Sequence, residues 1–506
     1  MLPTRSVRGV AALLTVPLLV FLLGFLRRWT TDAPNVDDYL YAIQTSDFLH
    51  GLSNGPHALA RAWQAHATNS PLMPMLALPL AALSANPNVL VLTQVIPLVG
   101  LAVSSAALLR QWGHSPTKAR VGAGLLCCSA PVLSYALMWH FALAATACTV
   151  GIVAAYGRSD RLQLRNPVLL MGVLMGFLVL TRVVAPVYAV AVAVPLFVDA
   201  CRGGAVRAMR SALLVGAVAA VVAAPWWLLC GRTAVSYLTG FGYDTRSGFV
   251  GPRAGFLTHQ WQRLQHTSFE TGLLLTFVLL ALVLLAALQR ERQVVLPLSI
   301  AGLGLVVLGT SGDEGTAFAQ PLVALVFLAA LHVALQRRWA LGSLAAAVLL
   351  TTTALLAGLV SPSFSGYVLW SHDLPAEGEQ RAALGCTNCS LGSSQALSRQ
   401  LISRVGGGRV VVVRDDAVLN VNGLTFLSAD VSPRPSFQTS PYGAAALAPV
   451  DLLHADFVVT GRTKAPYHGG LDWNQVEQVV GAEGYRLIET WRLSSDADVK
   501  LWAKGS

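Results

Sequence analysis

The chain has 506 residues, of which 54% are hydrophobic and only 12% charged. No water-soluble domain of this size needs so much apolar surface, which excludes an ordinary soluble enzyme and predicts a polytopic membrane protein. Through residue 360, 23 Lys+Arg stand against 11 Asp+Glu, and beyond it 12 against 14, so the net charge of +10 belongs to the apolar part, where it reports topology and argues against nucleic-acid binding.

The first apolar run, at 8–26, has Arg5 and Arg8 before it and "FLRRW" behind it, with no small-residue cleavage site. It is predicted as a retained first helix and not as a cleaved signal peptide. The loop 27–70 follows, and within it "DDYLYAIQTSDFLHG" and "PHALARAWQAHA" both carry helical spacing with polar and apolar faces, as expected of helices lying along an interface. "PLMPMLALPLAAL" at 71–83 holds three prolines and is too short to span comfortably, so it is expected to be re-entrant or interfacial. Ten further apolar runs fall at 89–109, 121–138, 141–157, 167–181, 183–200, 211–230, 271–289, 293–311, 317–335 and 339–360. With the first run they make eleven predicted spans.

Loops rich in Lys and Arg stay on the cytoplasmic side. The basic clusters are Arg110/Lys118/Arg120, Arg158/Arg161/Arg165, Arg202/Arg207/Arg210, Arg290/Arg292 and Arg337/Arg338. Eleven crossings from a cytoplasmic N-terminus put all five inside and residues 361–506 outside. The predicted organisation is therefore a mainly α transmembrane part, 1–360, followed by an extracytoplasmic α/β domain, 361–506.

The tail changes character. "SSQALSRQLISRV" reads as a helix, "GRVVVVR" and "GLTFLS" as strands, "APVDLLHADFVVTG" as helix then strand, "DWNQVEQVVGAE" as a helix, and "YRLIETWRL" with "VKLWAK" as a closing pair of strands. "GGG" at 406–408 lies between a helix and a strand and is read as a helix-ending turn, not a nucleotide site. Asp415–Asp416 reads as a hairpin turn. Five cysteines sit in or beside apolar runs as small hydrophobes, while Cys386 and Cys389 in "GCTNCS" are expected to form a local disulfide outside the cell rather than a zinc site.

The uncommon polar residues of the apolar part converge on the outer side: Asp37, Asp38, His140, Arg182, Asp313, Glu314 and Gln320. Ionisable groups beside a bilayer are costly enough to be functional candidates. Plainer readings stand beside that one. Asp37 and Asp38 suit a helix N-terminus, Arg182 suits a cation reaching the head-groups from a helix end, and His140 suits an ordinary interfacial position.

A first helix followed by an outer loop opening with "D-[DE]-x-x-Y" resembles the GT-C glycosyltransferases, in the branch of protein O-mannosyltransferases and bacterial lipid A aminoarabinose transferases. Asp37-Asp38 matches the motif's acidic pair and Tyr41 its tyrosine. "HATNSPLMPMLALPL" resembles the family's His-Pro-Pro-Leu stretch, with Asn69-Ser70-Pro71-Leu72 at its core. "GFLVLTRVVAP" resembles the segment where a Thr-Lys pair ends a short helix, with Arg182 in the lysine's place, and "GTAFAQPLVAL" is similar to the Arg-Tyr-Leu-Leu-Pro segment. Two departures stand out: His140 occupies the neighbourhood of a second acid, and Ala317-Phe318 replaces the Arg-Tyr pair.

The resemblance, over roughly residues 8 to 335, implies a GT-C-like bundle and a sugar donor linked to polyprenyl phosphate. A glycan, lipid or protein hydroxyl would accept the sugar, with inversion, at the outer face of a bacterial cytoplasmic membrane. An acceptor hydroxyl needs a base, and a carboxylate is the usual one; the departing lipid phosphate needs a fixed cation. Asp37 is accordingly the expected base and Asp38 its partner, with Arg182, His140, Tyr41, His66, Arg61 and Gln320 as substrate-binding candidates. No metal ligands are assigned, and a divalent cation is left open. Two rivals remain: a transporter or lipid flippase, which predicts mid-membrane charges and inverted halves, and an inactive GT-C-like envelope scaffold.

Overall fold

The computed structural model describes residues 4–31, 36–243, 271–309, 319–358, 391–413, 419–439, 454–461, 472–492 and 498–505, with isolated positions between them. The chain begins with α1 (Thr4–Thr31), α2 (Val36–Ser53), α3 (Pro56–Ala65), α4 (Leu72–Ala81) and α5 (Pro87–Leu90), which passes through a 3-10 turn at Val91–Gln94 into α6 (Val95–Gln111). Next come α7 (Pro116–Cys127), α8 (Ala130–Ala136), α9 (Ala142–Gly157), α10 (Arg165–Val179), α11 (Ala185–Cys201) and α12 (Ala205–Tyr243). The bundle closes with α13 (Leu273–Leu288), α14 (Arg292–Leu308), α15 (Gln320–Ala334) and α16 (Arg338–Gly358).

Proline opens several of these helices, including α3, α5 and α7, because its missing N–H would find no partner in the first turn. The side chains of Asn86 and Ser115 cap α5 and α7 by accepting from the N–H groups of Asn88 and Lys118. Among the described residues, three helices are long and apolar enough to cross a membrane alone: 87–111, 205–239 and 338–356. The remaining predicted spans correspond to shorter apolar helices and to one bent pair.

That pair corrects an expectation. Residues 121–138 do not form one straight span, because α7 and α8 meet at 62°. Pro131 at the start of α8 has no N–H to continue the ladder, Val132 N–H turns to Ser129 O, and the carbonyl of Cys128 accepts a hydrogen bond from Thr352 Oγ1 at 2.6 Å. Elsewhere the packing depends on small residues. α10 lies so close to α12 that a Cβ on Gly172 or Gly176 would come within 2.6 Å of Val218 or Val222, the close approach that paired glycines permit between helices in lipid. Gly172→Leu is expected to destabilise the bundle by about 1–3 kcal/mol or more through overpacking. A lowered melting temperature of the protein in detergent would register it; an unchanged one would show that the helices separate freely.

The five basic turns gather at one end of the bundle. Gln111 Nε2 donates to Ala154 O at 2.9 Å, His114 and His332 share a hydrogen bond of 2.9 Å, and Lys118 Nζ donates to Leu335 O at 2.7 Å. His332 also meets Glu291, and Tyr156 OH donates to Asp199, which pairs with Arg161 and Arg202. His114, in the turn between α6 and α7, has its pKa pushed down to about 4 by burial first and then by His332 and Lys118. It therefore adds no charge to this end at neutral pH.

The C-terminal part is a mixed α/β unit built from α17 (Leu391–Val405), β1 (Arg409–Val412), α18 (Val421–Leu427), β2 (Ser436–Thr439), β3 (Phe457–Thr460), α19 (Trp473–Ala482), β4 (Tyr485–Arg492) and β5 (Asp498–Lys504). The sheet order is β2-β1-β3-β5-β4, parallel from β2 through β3 and antiparallel thereafter. Alternation along β1 sends Val410 and Val412 toward Leu401 of α17 and Leu424 of α18, and Val411 toward Val476 and Val480 of α19. "GLTFLS" is therefore not a strand. Asn420 caps it as a helix by accepting from Gly423 N–H at 2.6 Å, and that helix packs on α2, with the Phe426 ring 5.6 Å from that of Tyr39. The sequence reading missed β2. Cys386, Cys389, Asp313, Glu314, Ala317, Phe318 and Asp415–Asp416 lie outside the described residues.

Candidate functional site

The end of the bundle opposite the basic turns holds the start of α2, the turn between α8 and α9, the turn between α10 and α11, and the start of α15. Asp37 is the second residue of α2, and its side chain lies outside the described residues. Asp38 is fully buried, and its Oδ1 accepts from the Trp139 backbone N–H at 2.7 Å across 101 residues of sequence. A buried carboxylate needs such donors, and this bond ties the first turn of α2 to the α8–α9 turn.

That turn is braced from below. Gln94 Nε2 donates to the carbonyls of Met138 and His140, at 2.7 and 2.6 Å. His140 Nδ1 accepts from Ala142 N–H at 3.2 Å, so its ring caps α9. The buried Trp139 ring lies 5.9 Å from the ring of Tyr41, one helical turn beyond Asp37 and Asp38.

Arg182 arrives from the third element. The turn that carries it is pinned to α4, because Leu72 N–H donates to Leu180 O at 3.1 Å. Its guanidinium lies over the Phe141 ring, 4.8 Å from the centroid, and Nη1 approaches the Tyr41 hydroxyl at 3.4 Å. Stacking on an aromatic face fixes the plane of the cation. Asp38, Tyr41, His140 and Arg182 are thus brought together, along with Trp139 and Phe141, which sequence reasoning did not select. "WHF" at a helix start was the signal available.

Three other candidates stand outside this cluster of four side chains. His66 is bonded to Asp47 at 2.7 Å and packs edge-on against Phe48. Arg61 is exposed on α3. Gln320 is buried and donates from Nε2 to Pro131 O at 2.7 Å, which anchors the bent α8 to α15. Among the described residues, no three His, Cys, Asp or Glu side chains gather closely enough to hold a metal ion.

A groove of about 500 Å³ opens at the same end, between α13, α14 and α15. Its lining is mostly apolar, with Trp261, Leu264, Leu279, Leu280, Leu322 and Val326.

No protein-family profile matches the chain, and no curated protein does. Solved structures do. ArnT from Cupriavidus metallidurans bound to undecaprenyl phosphate superposes with a TM-score of 0.58 at 12% identity, covering 97% of each chain. Its apo form gives 0.59 at 11% identity, covering 98% of each. The oligosaccharyltransferase AglB from Archaeoglobus fulgidus, in complex with an inhibitory peptide and a dolichol-phosphate, gives 0.53 at 12% identity over 99% of this chain and 74% of its own. Identities this low carry the architecture and not the chemistry. Across nearly its whole length the chain shares the fold of these solved ArnT and AglB structures.

Proposed function

We propose that this protein is a membrane glycosyltransferase that moves a sugar from polyprenyl phosphate to an acceptor hydroxyl, with Asp37 as the base. One observation carries the reading: an acidic helix start and a stacked arginine, 141 residues apart along the chain at Tyr41 and Arg182, meet at one end of the bundle. Solved structures with this fold hold undecaprenyl phosphate and dolichol-phosphate, which supports a donor of that class.

The chemistry assigns each group a task. Asp37 takes the proton from the acceptor hydroxyl as its oxygen attacks the anomeric carbon. The bond from that carbon to the phosphate oxygen breaks, and the electron pair leaves with the lipid phosphate. Arg182 faces the charge that grows there, where a fixed cation contributes most. A single displacement of this kind inverts the anomeric centre. Asp38, engaged by the Trp139 backbone, holds the first turn of α2 in place. Tyr41 sets the position of Arg182. The apolar groove between α13 and α15 suits the first isoprene units of the donor.

The test is incubation of the purified protein, in lipid nanodiscs, with a panel of radiolabelled polyprenyl-phosphate sugars. Loss of label from the lipid fraction with at least one donor is expected; a protein inert toward the whole panel contradicts the reading.

The site end faces outward in this account, with the N-terminus and the basic turns in the cytoplasm. An alkaline phosphatase fused at Ser506 should therefore be active. An inactive phosphatase beside an active cytoplasmic reporter at the same position would reverse the orientation.

A further inference from the structure

A second cavity, of about 480 Å³, opens where α2 meets the C-terminal unit. Its volume lies within the range of ~300–1,000 Å³ common for small-ligand sites. One wall is Ser46 and Asp47 of α2 with Asn86 ahead of α5; the other is Arg399 of α17 with Asp430 and Arg434 beyond α18. Phe426 supplies an apolar patch between the two walls.

The cavity is built onto the helix that carries the acidic pair. Phe426 packs on Tyr39, the residue after Asp38. A Cβ at Gly423 would sit 3.2 Å from the Tyr39 ring, so a bulkier residue there would push α18 off α2. The polar groups are mixed in sign, with two guanidinium groups, two carboxylates, an amide and a hydroxyl. Asp47 is held by His66 through Oδ2, and Arg434 donates to Thr425 O at 3.2 Å.

We infer that this cavity is a glycan subsite: it binds a neutral oligosaccharide portion of the acceptor. The inference rests on the glycosyltransferase reading for the word acceptor, and on the cavity alone for the word glycan. Sugar hydroxyls donate to carboxylates and accept from guanidinium groups at once, which a wall of alternating donors and acceptors matches. The apolar face of a sugar ring packs on Phe426. Equal numbers of arginines and aspartates leave no surplus charge to favour an anionic chain.

The test uses the full chain in nanodiscs. The probes are neutral tri- to pentasaccharides of mannan, galactan and arabinan, beside oligogalacturonate and a Ser/Thr-containing peptide. Binding is read by saturation-transfer NMR and donor turnover is assayed in parallel. At least one neutral oligosaccharide should bind the wild type. The double variant Arg399→Ala/Arg434→Ala should weaken it by about tenfold or more, the loss expected for hydrogen bonds to charged groups. Ala85→Trp, which fills the cavity from its rim, should block it as well. The assignment is overturned if no neutral oligosaccharide binds, if both variants bind as the wild type does, or if the acidic sugar or the peptide is preferred. Oligosaccharide binding by a protein inert toward every lipid-linked sugar would sink the glycosyltransferase reading and keep the glycan subsite. Turnover without oligosaccharide binding would do the reverse.

Discussion

Asp37→Asn should abolish sugar transfer while the protein folds and binds its donor. Asparagine matches aspartate in size and caps a helix about as well, so α2 has no reason to unwind. It cannot take a proton from the acceptor hydroxyl, and loss of a general base typically lowers the rate ~10²–10⁴-fold. Asp38 answers differently because of its bond to the Trp139 backbone. Asp38→Asn keeps a carbonyl oxygen for that bond and should retain part of the activity. Asp38→Ala leaves a buried N–H without this acceptor and should lower stability by about 1–3 kcal/mol. Turnover of radiolabelled donor and thermal melting separate the two effects. An inactive Asp38→Asn beside an active Asp37→Asn would exchange the roles, and two fully active variants would reduce the pair to a helix cap.

Arg182→Ala should lower donor turnover by about 10²–10³-fold, the scale on which loss of a donor aimed at developing negative charge is felt. The alanine variant loses both the cation and its stacking on Phe141. Arg182→Lys should recover part of the loss, since it keeps the charge while giving up the planar fork. Phe141→Leu should resemble a mild Arg182 defect, because the guanidinium would keep its charge and lose its platform. Normal turnover by Arg182→Ala would leave the arginine as a head-group anchor with no part in the reaction.

Much of the bundle was legible because each predicted span depends on a local run of apolar residues. All eleven runs are apolar helices or, at 121–138, a bent pair. The shared end of the five basic turns was legible for the same reason, since successive helices alternate direction. The 62° break at Cys128–Ser129 was not, because the carbonyl left without a helical donor is satisfied by the Thr352 hydroxyl, 224 residues away. "GLTFLS" alternates like a strand, yet the Asn420 cap and the packing on Tyr39 make it helical. In the candidate site, residue types were readable and partners were not. No local pattern separates Asp37 from Asp38; the bond from Trp139 does so only after folding. His66, a substrate-binding candidate by sequence, is bonded to Asp47 19 residues upstream, a partner that no local pattern shows.

A single displacement at the anomeric carbon of a lipid-linked sugar leaves its mark in the configuration of the sugar first released. Full-length protein in nanodiscs, given a ¹³C-labelled donor it consumes, should release sugar whose earliest NMR signal is the anomer opposite to that of the donor. Retained configuration at the earliest time points would contradict the account, as would a rate of release unchanged by Asp37→Asn.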